Sequence, residues 1–187
     1  AGRNRTEQDV TRRNFLKVAG LGAAFLGTGG IHAFAAETRR RVIVIGGGWG
    51  GATAAKYIRL TDPSIEVTLL EPNKEFISCP FSNLVLAGVE SLKNLTLNYN
   101  GLRKHGVIIR HEAAAAIEPD KRRVRVGKES LEYDRLIVSP GIEFQWELVD
   151  GLAQVKDTVL HAWKAGPQTA ALRQQLEAIH RDRQGER

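Results

Sequence analysis

The chain has 187 residues, a formal net charge of +6 and one cysteine. Residues 1–35 hold five basic and two acidic residues (+3), the remainder holds 22 and 19 (+3), and the mixed charges of that remainder do not predict a nucleic-acid partner. The single cysteine excludes an intrachain disulfide, and the absence of a C-x-x-C-H sequence means that any haem must sit on a separate subunit.

Residues 1–35 predict an export signal. Thr11–Lys17 is typical of a twin-arginine signal, the apolar stretch Val18–Ile31 contains five glycines, and Ala33–Ala35 is typical of a cleavage site. The alternative is a membrane-anchoring helix, but an apolar run of 14 residues is too short to span a bilayer. Twin-arginine export carries folded proteins, often with the cofactor inserted. We therefore expect a periplasmic protein with no stable membrane span after removal of the signal.

A glycine-rich loop is the most specific signal in the chain. The β-branched run Val42–Ile45 predicts a buried parallel strand, and Gly46–Gly51 matches G-x-G-x-x-G. A predicted helix at Ala52–Leu60 and a second predicted strand at Ile65–Leu70 follow, and this strand ends at Glu71. The order of strand, loop, helix, strand and acidic residue is typical of a dinucleotide-binding βαβ unit.

The residues of this unit have distinct expected roles. Gly46 allows the tight turn, Gly48 lets the main chain approach a diphosphate, and Gly51 lets the helix pack on the strand. The helix N-terminus offers unpaired N–H groups to phosphates. The Glu71 carboxylate can accept hydrogen bonds from a ribose diol and would repel a 2′-phosphate, so FAD or NAD fits and NADP does not. The alternative is a glycine-rich turn without a ligand. The predicted cofactor-binding residues here are Gly46, Gly47, Gly48, Trp49, Gly50, Gly51 and Glu71.

The next part of the chain is predicted to hold a loop, two helices and a strand. These are a loop at Pro72–Asn83, a short helix at Leu84–Ala87 capped by Ser82 or Asn83, a helix at Leu97–His105 ended by Gly106, and a strand at Val107–His111. Alternating residues between positions 113 and 133 then predict an antiparallel meander of three strands, with turns at 118–120 and 127–128.

The last predicted strand is Asp134–Val138, which we expect to be buried and to end in the turn Ser139–Gly141. A turn of this kind often lies near the nucleotide in flavoproteins, which makes Pro140 and Gly141 candidate cofactor-binding residues. The alternative is a core strand with a tight turn. Gln168–His180 predicts an amphipathic helix.

Together these elements predict an α/β protein with a Rossmann-like FAD-binding domain, built on a parallel sheet with a small antiparallel β-meander. The expected organisation is an export signal at residues 1–35, a partial FAD/NAD(P)-binding-type domain at 36–180 and a frayed tail at 181–187.

Several segments resemble the flavoprotein subunits of flavocytochrome c sulfide dehydrogenases. The glycine loop alone would fit any flavin reductase, whereas the context of Cys79 and the segment near His161 are more particular. The segments that carry the resemblance are Gly46–Ile58, Asp62–Asn73, Cys79–Asn83, Tyr133–Ile142 and His161–Gly166.

The resemblance implies a periplasmic enzyme that oxidises sulfide and passes electrons through FAD to a c-type cytochrome subunit. Cys79 falls where this family links FAD covalently through a cysteinyl sulfur. Its alternatives are a small buried hydrophobic residue or a free thiol. No spacing of histidine, cysteine and carboxylate residues predicts a metal site, and the sequence assigns no chemistry to the histidines.

The chain departs from the family pattern because the redox disulfide and the later part of the FAD domain have no counterpart in it. We therefore expect a truncated chain that is inactive alone, and its catalytic residues stay unknown. The alternatives are a flavoprotein resembling sulfide:quinone reductase, a non-catalytic nucleotide-binding remnant, and a plain NAD dehydrogenase, which would leave Cys79 without a task.

Overall fold

The computed structural model describes residues 39–185, and the predicted export signal lies outside this range. The strands are β1 (Arg41–Ile45), β2 (Glu66–Leu70), β3 (Glu75–Ile77), β4 (Thr96–Asn98), β5 (Ile108–Arg110), β6 (Ala114–Glu118), β7 (Arg123–Val126), β8 (Glu129–Glu132) and β9 (Arg135–Val138). The helices are α1 (Trp49–Thr61), α2 (Ser82–Leu86), α3 (Leu92–Leu95), α4 (Asn100–Lys104), α5 (Leu152–Val155) and α6 (Pro167–Gly185), with 3-10 turns at Pro119–Lys121 and Trp146–Leu148.

A parallel sheet of four strands forms the centre of the fold, in the order β5-β2-β1-β9. Successive side chains of a strand point to opposite faces, so β1 contributes to two cores. Val42 and Val44 pack with Ala55 of α1 on one face, while Ile43 packs with Val124 of the meander on the other. Both faces are covered, which explains why β1 is continuously apolar from Val42 to Ile45.

The three-stranded meander β6-β7-β8 is antiparallel, as the sequence predicts. Val124 and Val126 are buried, whereas Arg123 and Arg125 are exposed. The alternation of apolar and basic residues therefore separates a face that packs on the sheet from a solvated face. The predicted fold class, a Rossmann-like domain with a parallel sheet and an antiparallel meander, is confirmed.

The prediction of one helix over Leu97–His105 is wrong in its first half. Residues 96–98 form β4 and pair with β3, and only Asn100–Lys104 is helical. Gly106 follows with φ of +79°, a conformation that suits the end of a helix. The predicted loop at Pro72–Asn83 accordingly contains a strand, because β3 finds its partner about twenty residues further along the chain.

Helix α2 differs from its prediction at the N-terminus. The helix begins at Ser82, Phe81 is the N-cap residue, and no side chain caps the first turn. The predicted cap at Ser82 or Asn83 is therefore wrong. The Ser82 hydroxyl is instead buried without a hydrogen-bond partner.

The last strand and the last helix are less buried than predicted. Val138 is 55% exposed because β9 lies at the edge of the sheet. Helix α6 is longer than its prediction of Gln168–His180 and extends from Pro167 to Gly185. Thr169 is fully buried, but Leu176 and Ile179 are half exposed. No helix within residues 39–185 is long and apolar enough to cross a membrane.

Candidate functional site

The candidate site lies at the carboxyl ends of the four parallel strands. Gly46, Glu71, His111 and Ser139 each follow closely on the end of β1, β2, β5 or β9, and the strand ends are in register. The chain passes from β1 toward β2 and β5 on one side and later returns to β9 on the other. In open parallel sheets, ligands bind at such a change of direction.

Two glycines of the loop are required by the packing of the protein itself. Gly46 has φ of +97°, and a Cβ atom there would overlap the carbonyl oxygen of Ser139. A Cβ atom at Gly51 would overlap the Gly46 carbonyl oxygen and press on Val44. The expected roles of Gly46 in a tight turn and of Gly51 in the packing of helix on strand agree with these contacts.

Gly48 differs from these two glycines because no neighbouring protein atom requires a glycine at this position. Its φ of −69° is open to any residue, and a Cβ atom would meet only Phe76 Cε2 at 3.7 Å, an ordinary contact. Gly48 is also the N-cap of α1, which has neither a side-chain cap nor an acidic residue in its first turn. The first N–H groups of this helix are therefore left for an acceptor from outside the helix.

Glu71 is buried and turned toward the glycine loop. Its Oε2 accepts a hydrogen bond from the Gly47 N–H at 2.8 Å. Its Oε1 accepts two hydrogen bonds from Asn73, from the main-chain N–H and from Nδ2, both at 2.8 Å. A carboxylate has about four acceptor positions, so one position on Oε2 stays open.

Tyr99 is a site residue that the sequence did not predict. It is 5% exposed, and its hydroxyl donates a hydrogen bond to the Gly47 carbonyl at 3.2 Å. A Cβ atom at Gly47 would lie 2.5 Å from this hydroxyl, so the middle glycine also has a packing role. Burial, and secondarily the Glu71 carboxylate, raise the pKa of Tyr99 above its ordinary value.

A largely apolar groove runs along the glycine loop and α1. Trp49 is half exposed at its rim, and its ring meets Phe76 edge to face with centroids 5.9 Å apart. Phe76 lies in β3 and Tyr99 directly follows β4, and the sequence did not predict this pair of strands. The groove is lined by Gly47, Gly48, Trp49, Ala52, Thr53, Lys56, Phe76, Leu97, Asn98, Tyr99 and Leu102.

The turn after β9 lies against the glycine loop, as its candidate residues require. The Ser139 N–H donates to the Ile45 carbonyl at 2.8 Å, and a Cβ atom at Gly50 would lie 2.8 Å from Ser139 Oγ. Pro140 follows directly, and Gly141 adopts φ of +82°. The turn Ser139–Gly141 therefore lies next to the glycine loop and the first turn of α1.

Cys79 lies apart from the groove, in a second cavity. Its thiol is free and exposed, and the cavity of about 350 Å³ shares no lining residue with the groove. The cavity joins two segments of the chain that the sequence singled out, one around Cys79 and one after His161. It is lined by Cys79, Pro80, Ser82, Asn83, Leu86, Ala162 and Trp163.

Buried polar atoms without a partner are concentrated in the same two segments. Within residues 39–185, all five such side-chain atoms belong to positions 78–82 or 161–169: Ser78 Oγ, Ser82 Oγ, His161 Nδ1, Gln168 Oε1 and Thr169 Oγ1. Ser82 also lines the cavity. Because native proteins rarely bury unpaired polar groups, this concentration indicates a region that takes up water or a ligand. No group of three or more metal-ligating side chains occurs in the described part of the chain.

Comparisons with known proteins identify the family. The model of the pyridine nucleotide-disulphide oxidoreductases matches residues 40–181. The flavoprotein chain of sulfide dehydrogenase [flavocytochrome c] from Chlorobaculum thiosulfatiphilum is 63% identical over 46 residues, which are 25% of this chain and 96% of that relative. The mitochondrial sulfide:quinone oxidoreductase of Mus musculus is 30% identical over 121 residues, 64% of this chain and 27% of that enzyme.

The fold also matches solved structures. The sulfide:quinone oxidoreductase of Aquifex aeolicus superposes with a TM-score of 0.65 at 23% identity, over 75% of this chain and 32% of that structure. The 46 matched residues make up 96% of the sulfide dehydrogenase relative, whose sequence is therefore short, and the chain spans only about a quarter to a third of the sulfide:quinone oxidoreductases. The chain belongs to the pyridine nucleotide-disulphide oxidoreductases, and the resemblance to flavocytochrome c sulfide dehydrogenase flavoproteins that its motifs indicate is confirmed.

Proposed function

We propose that this chain is the FAD-binding part of a periplasmic flavoprotein that oxidises sulfide and passes electrons to a c-type cytochrome. The family and the flavoprotein relative support FAD or a related dinucleotide as the cofactor. The observation that carries the proposal is Gly48, which leaves space open in front of an uncapped helix N-terminus where the protein itself would tolerate a side chain.

The residues present fit a dinucleotide at the carboxyl edge of the sheet. The main chain of Gly46–Gly51 and the first turn of α1 hold the diphosphate, because N–H groups at a helix N-terminus attract anions. Glu71 accepts a hydrogen bond from the adenosine ribose at the second acceptor position of Oε2, which no protein group within residues 39–185 fills. Pro140 and Gly141 approach the nucleotide from the β9 side, and Trp49 covers the loop from the groove.

Bound FAD supplies the redox chemistry, accepting an electron pair and releasing electrons singly to a haem protein. This chain binds the cofactor, orients it and keeps water from its buried part. Cys79 holds the flavin ring through its sulfur, in the cavity that it shares with Ser82 and Trp163. The unpaired Ser82 hydroxyl in this cavity supports a ligand there.

A quinone is the alternative electron acceptor, and one observation favours it. The mouse sulfide:quinone oxidoreductase is 30% identical to this chain over 64% of its length. To separate the two acceptors, the holoprotein would be isolated from its native host and given sulfide with a soluble c-type cytochrome or with a short-chain quinone. We expect cytochrome reduction. Reduction of the quinone alone would identify the alternative, and turnover with neither would leave the nucleotide-binding remnant.

Cofactor attachment is tested by denaturation in acid. We expect wild-type holoprotein to keep its flavin in the precipitate and the Cys79→Ser variant to release all of it, because serine cannot form the thioether. Ser82→Ala is the matched control, since it alters the same cavity but leaves the thiol in place. Complete release of flavin from the wild-type protein would contradict the covalent attachment.

A further inference from the structure

His111 lies beside Glu71 and contacts the main chain that carries it. Both residues follow directly on neighbouring strands, β2 and β5, whose last residues Leu70 and Arg110 are paired. The Glu71 N–H continues this pairing by donating to the Arg110 carbonyl at 3.0 Å. The His111 Nδ1 atom lies 3.2 Å from the Glu71 carbonyl oxygen and 3.1 Å from the Asn73 carbonyl oxygen.

The partners of the imidazole favour one tautomer. Carbonyl oxygens only accept hydrogen bonds, so Nδ1 donates to them. On the other side of the ring, Nε2 lies 3.2 Å from an Nη2 atom of Arg103, which can only donate. Nε2 therefore accepts from Arg103, and the ring hydrogen lies on Nδ1. The contact with Arg103 thus supports the orientation in which Nδ1 faces the chain at Glu71.

We propose that His111 is a positioning residue for ribose recognition by Glu71. This inference rests on the proposed function. By donating to the carbonyl groups of residues 71 and 73, His111 closes the chain around Glu71 into a compact turn. The same turn places the Asn73 N–H and Nδ2 on Oε1 of Glu71. Both acceptor positions of Oε1 are then filled, and the carboxylate cannot rotate without breaking these bonds.

The orientation of the carboxylate has a direct consequence for a ligand. With Oε1 filled, Oε2 faces the loop, binds the Gly47 N–H and keeps its second acceptor position for a hydroxyl group of the adenosine ribose. The ring of Tyr99 lies 6.0 Å from the ring of His111, and its hydroxyl holds the Gly47 carbonyl. One peptide group of the glycine loop is thus held through its N–H by Glu71 and through its carbonyl by Tyr99, and His111 contacts both of these residues.

The test compares the affinities of the flavin-free chain for FAD and for FAD with a 2′-deoxyadenosine, by titration of flavin fluorescence, with Cys79→Ser in every variant and in the reference chain to exclude covalent attachment. We expect the wild-type chain to prefer FAD at least tenfold, because the analogue leaves one acceptor position of a buried carboxylate unpaired. The His111→Leu variant should lose most of this preference, to within threefold. His111→Asn should retain the preference, since its amide can donate from about the position of Nδ1. The exposed His105 is the matched control, and His105→Leu should behave as wild type.

A purely structural role for His111 would weaken the binding of both ligands equally and leave the preference unchanged, and that result would overturn the inference. In a Glu71→Gln background, His111→Leu should change the preference no further, and a further loss would also overturn it. If His111→Leu does not fold, Arg103→Leu takes its place, with the same reduction expected and the same refutation. A wild-type chain that binds neither ligand overturns the proposed function itself, whereas a preference that is insensitive to His111 leaves the proposed function intact.

Discussion

A substitution at Gly48 should affect cofactor binding without affecting folding. We expect Gly48→Val to fold as the wild-type chain does and to lose its affinity for FAD. A Cβ atom at this position has a single protein neighbour at 3.7 Å, and the main-chain conformation suits residues other than glycine. The branched side chain would stand in the space through which a diphosphate reaches the N–H groups of α1.

Two opposing effects set the expected stability of this variant. Replacing glycine at a compatible conformation stabilises a protein by about 0.4–1 kcal/mol through the unfolded state. An apolar N-cap residue costs roughly the same amount, because it is disfavoured there. We therefore expect the free energy of unfolding to change by less than about 1 kcal/mol. The affinity for FAD should fall at least a hundredfold, which corresponds to about 2.7 kcal/mol.

Thermal unfolding and a fluorescence titration with FAD measure the two quantities on the same preparation. Gly101→Val is the matched control, because no protein atom lies within 4 Å of a Cβ atom at that position and it lies outside the groove. The control should keep the affinity of the wild-type chain. Undiminished FAD binding by Gly48→Val would refute the assignment of the loop to the diphosphate. A collapse of stability in that variant would refute the argument that the protein leaves this space open.

The remaining predictions concern the scaffold around the loop. Gly51→Ala should lower the free energy of unfolding by about 1–3 kcal/mol in a denaturant titration, because its methyl group overlaps the Gly46 carbonyl oxygen; an unchanged midpoint would contradict this packing. The raised pKa of Tyr99 keeps its hydroxyl protonated in the folded state, so its contribution to stability is complete below about pH 10 and is lost as the pH rises further. Tyr99→Phe should unfold with a smaller alkaline loss of stability than the wild-type chain, and equal losses would show that other groups cause it. Arg173→Ala should lower the free energy of unfolding by about 1 kcal/mol, because Nη1 of Arg173 in α6 donates a hydrogen bond to the Leu86 carbonyl of α2 at 2.7 Å. An unchanged melting temperature would show that this hydrogen bond makes no net contribution to stability.

The sequence predicts the parts of the fold that depend on local pattern. The continuous apolar run Val42–Ile45 predicts β1, and alternating residues predict the meander, because each pattern directly reflects which faces are buried. The place of Ile65–Leu70 between a helix and an acidic residue predicts β2. Local pattern fails at residues 96–98, where the distant partner β3 determines the structure. It also overestimates the burial of Val138, since a position at the edge of the sheet is a property of the whole topology.

Local sequence likewise predicts some residues of the candidate site and misses others. The glycine loop and Glu71 belong to one βαβ unit with a fixed spacing, so the sequence places them together. Tyr99 and His111 reach the loop only through the arrangement of β4, α4 and β5, and no spacing connects them to residue 47 in the sequence. A tyrosine that follows a three-residue strand and a histidine directly after another strand give no local signal of their own.

The pairing of β1 with β9 joins residues about ninety positions apart, Val42 with Arg135 and Ile45 with Val138. During synthesis on the ribosome, the turn at Gly46 therefore cannot pack against Ser139 until that residue has left the ribosome. Any early compact form that lacks β9 leaves one side of β1 without a neighbour, and such long-range pairing is slow to form. The carboxyl edge of the sheet, where the candidate site lies, is consequently complete only after the last of its four strands has been synthesised.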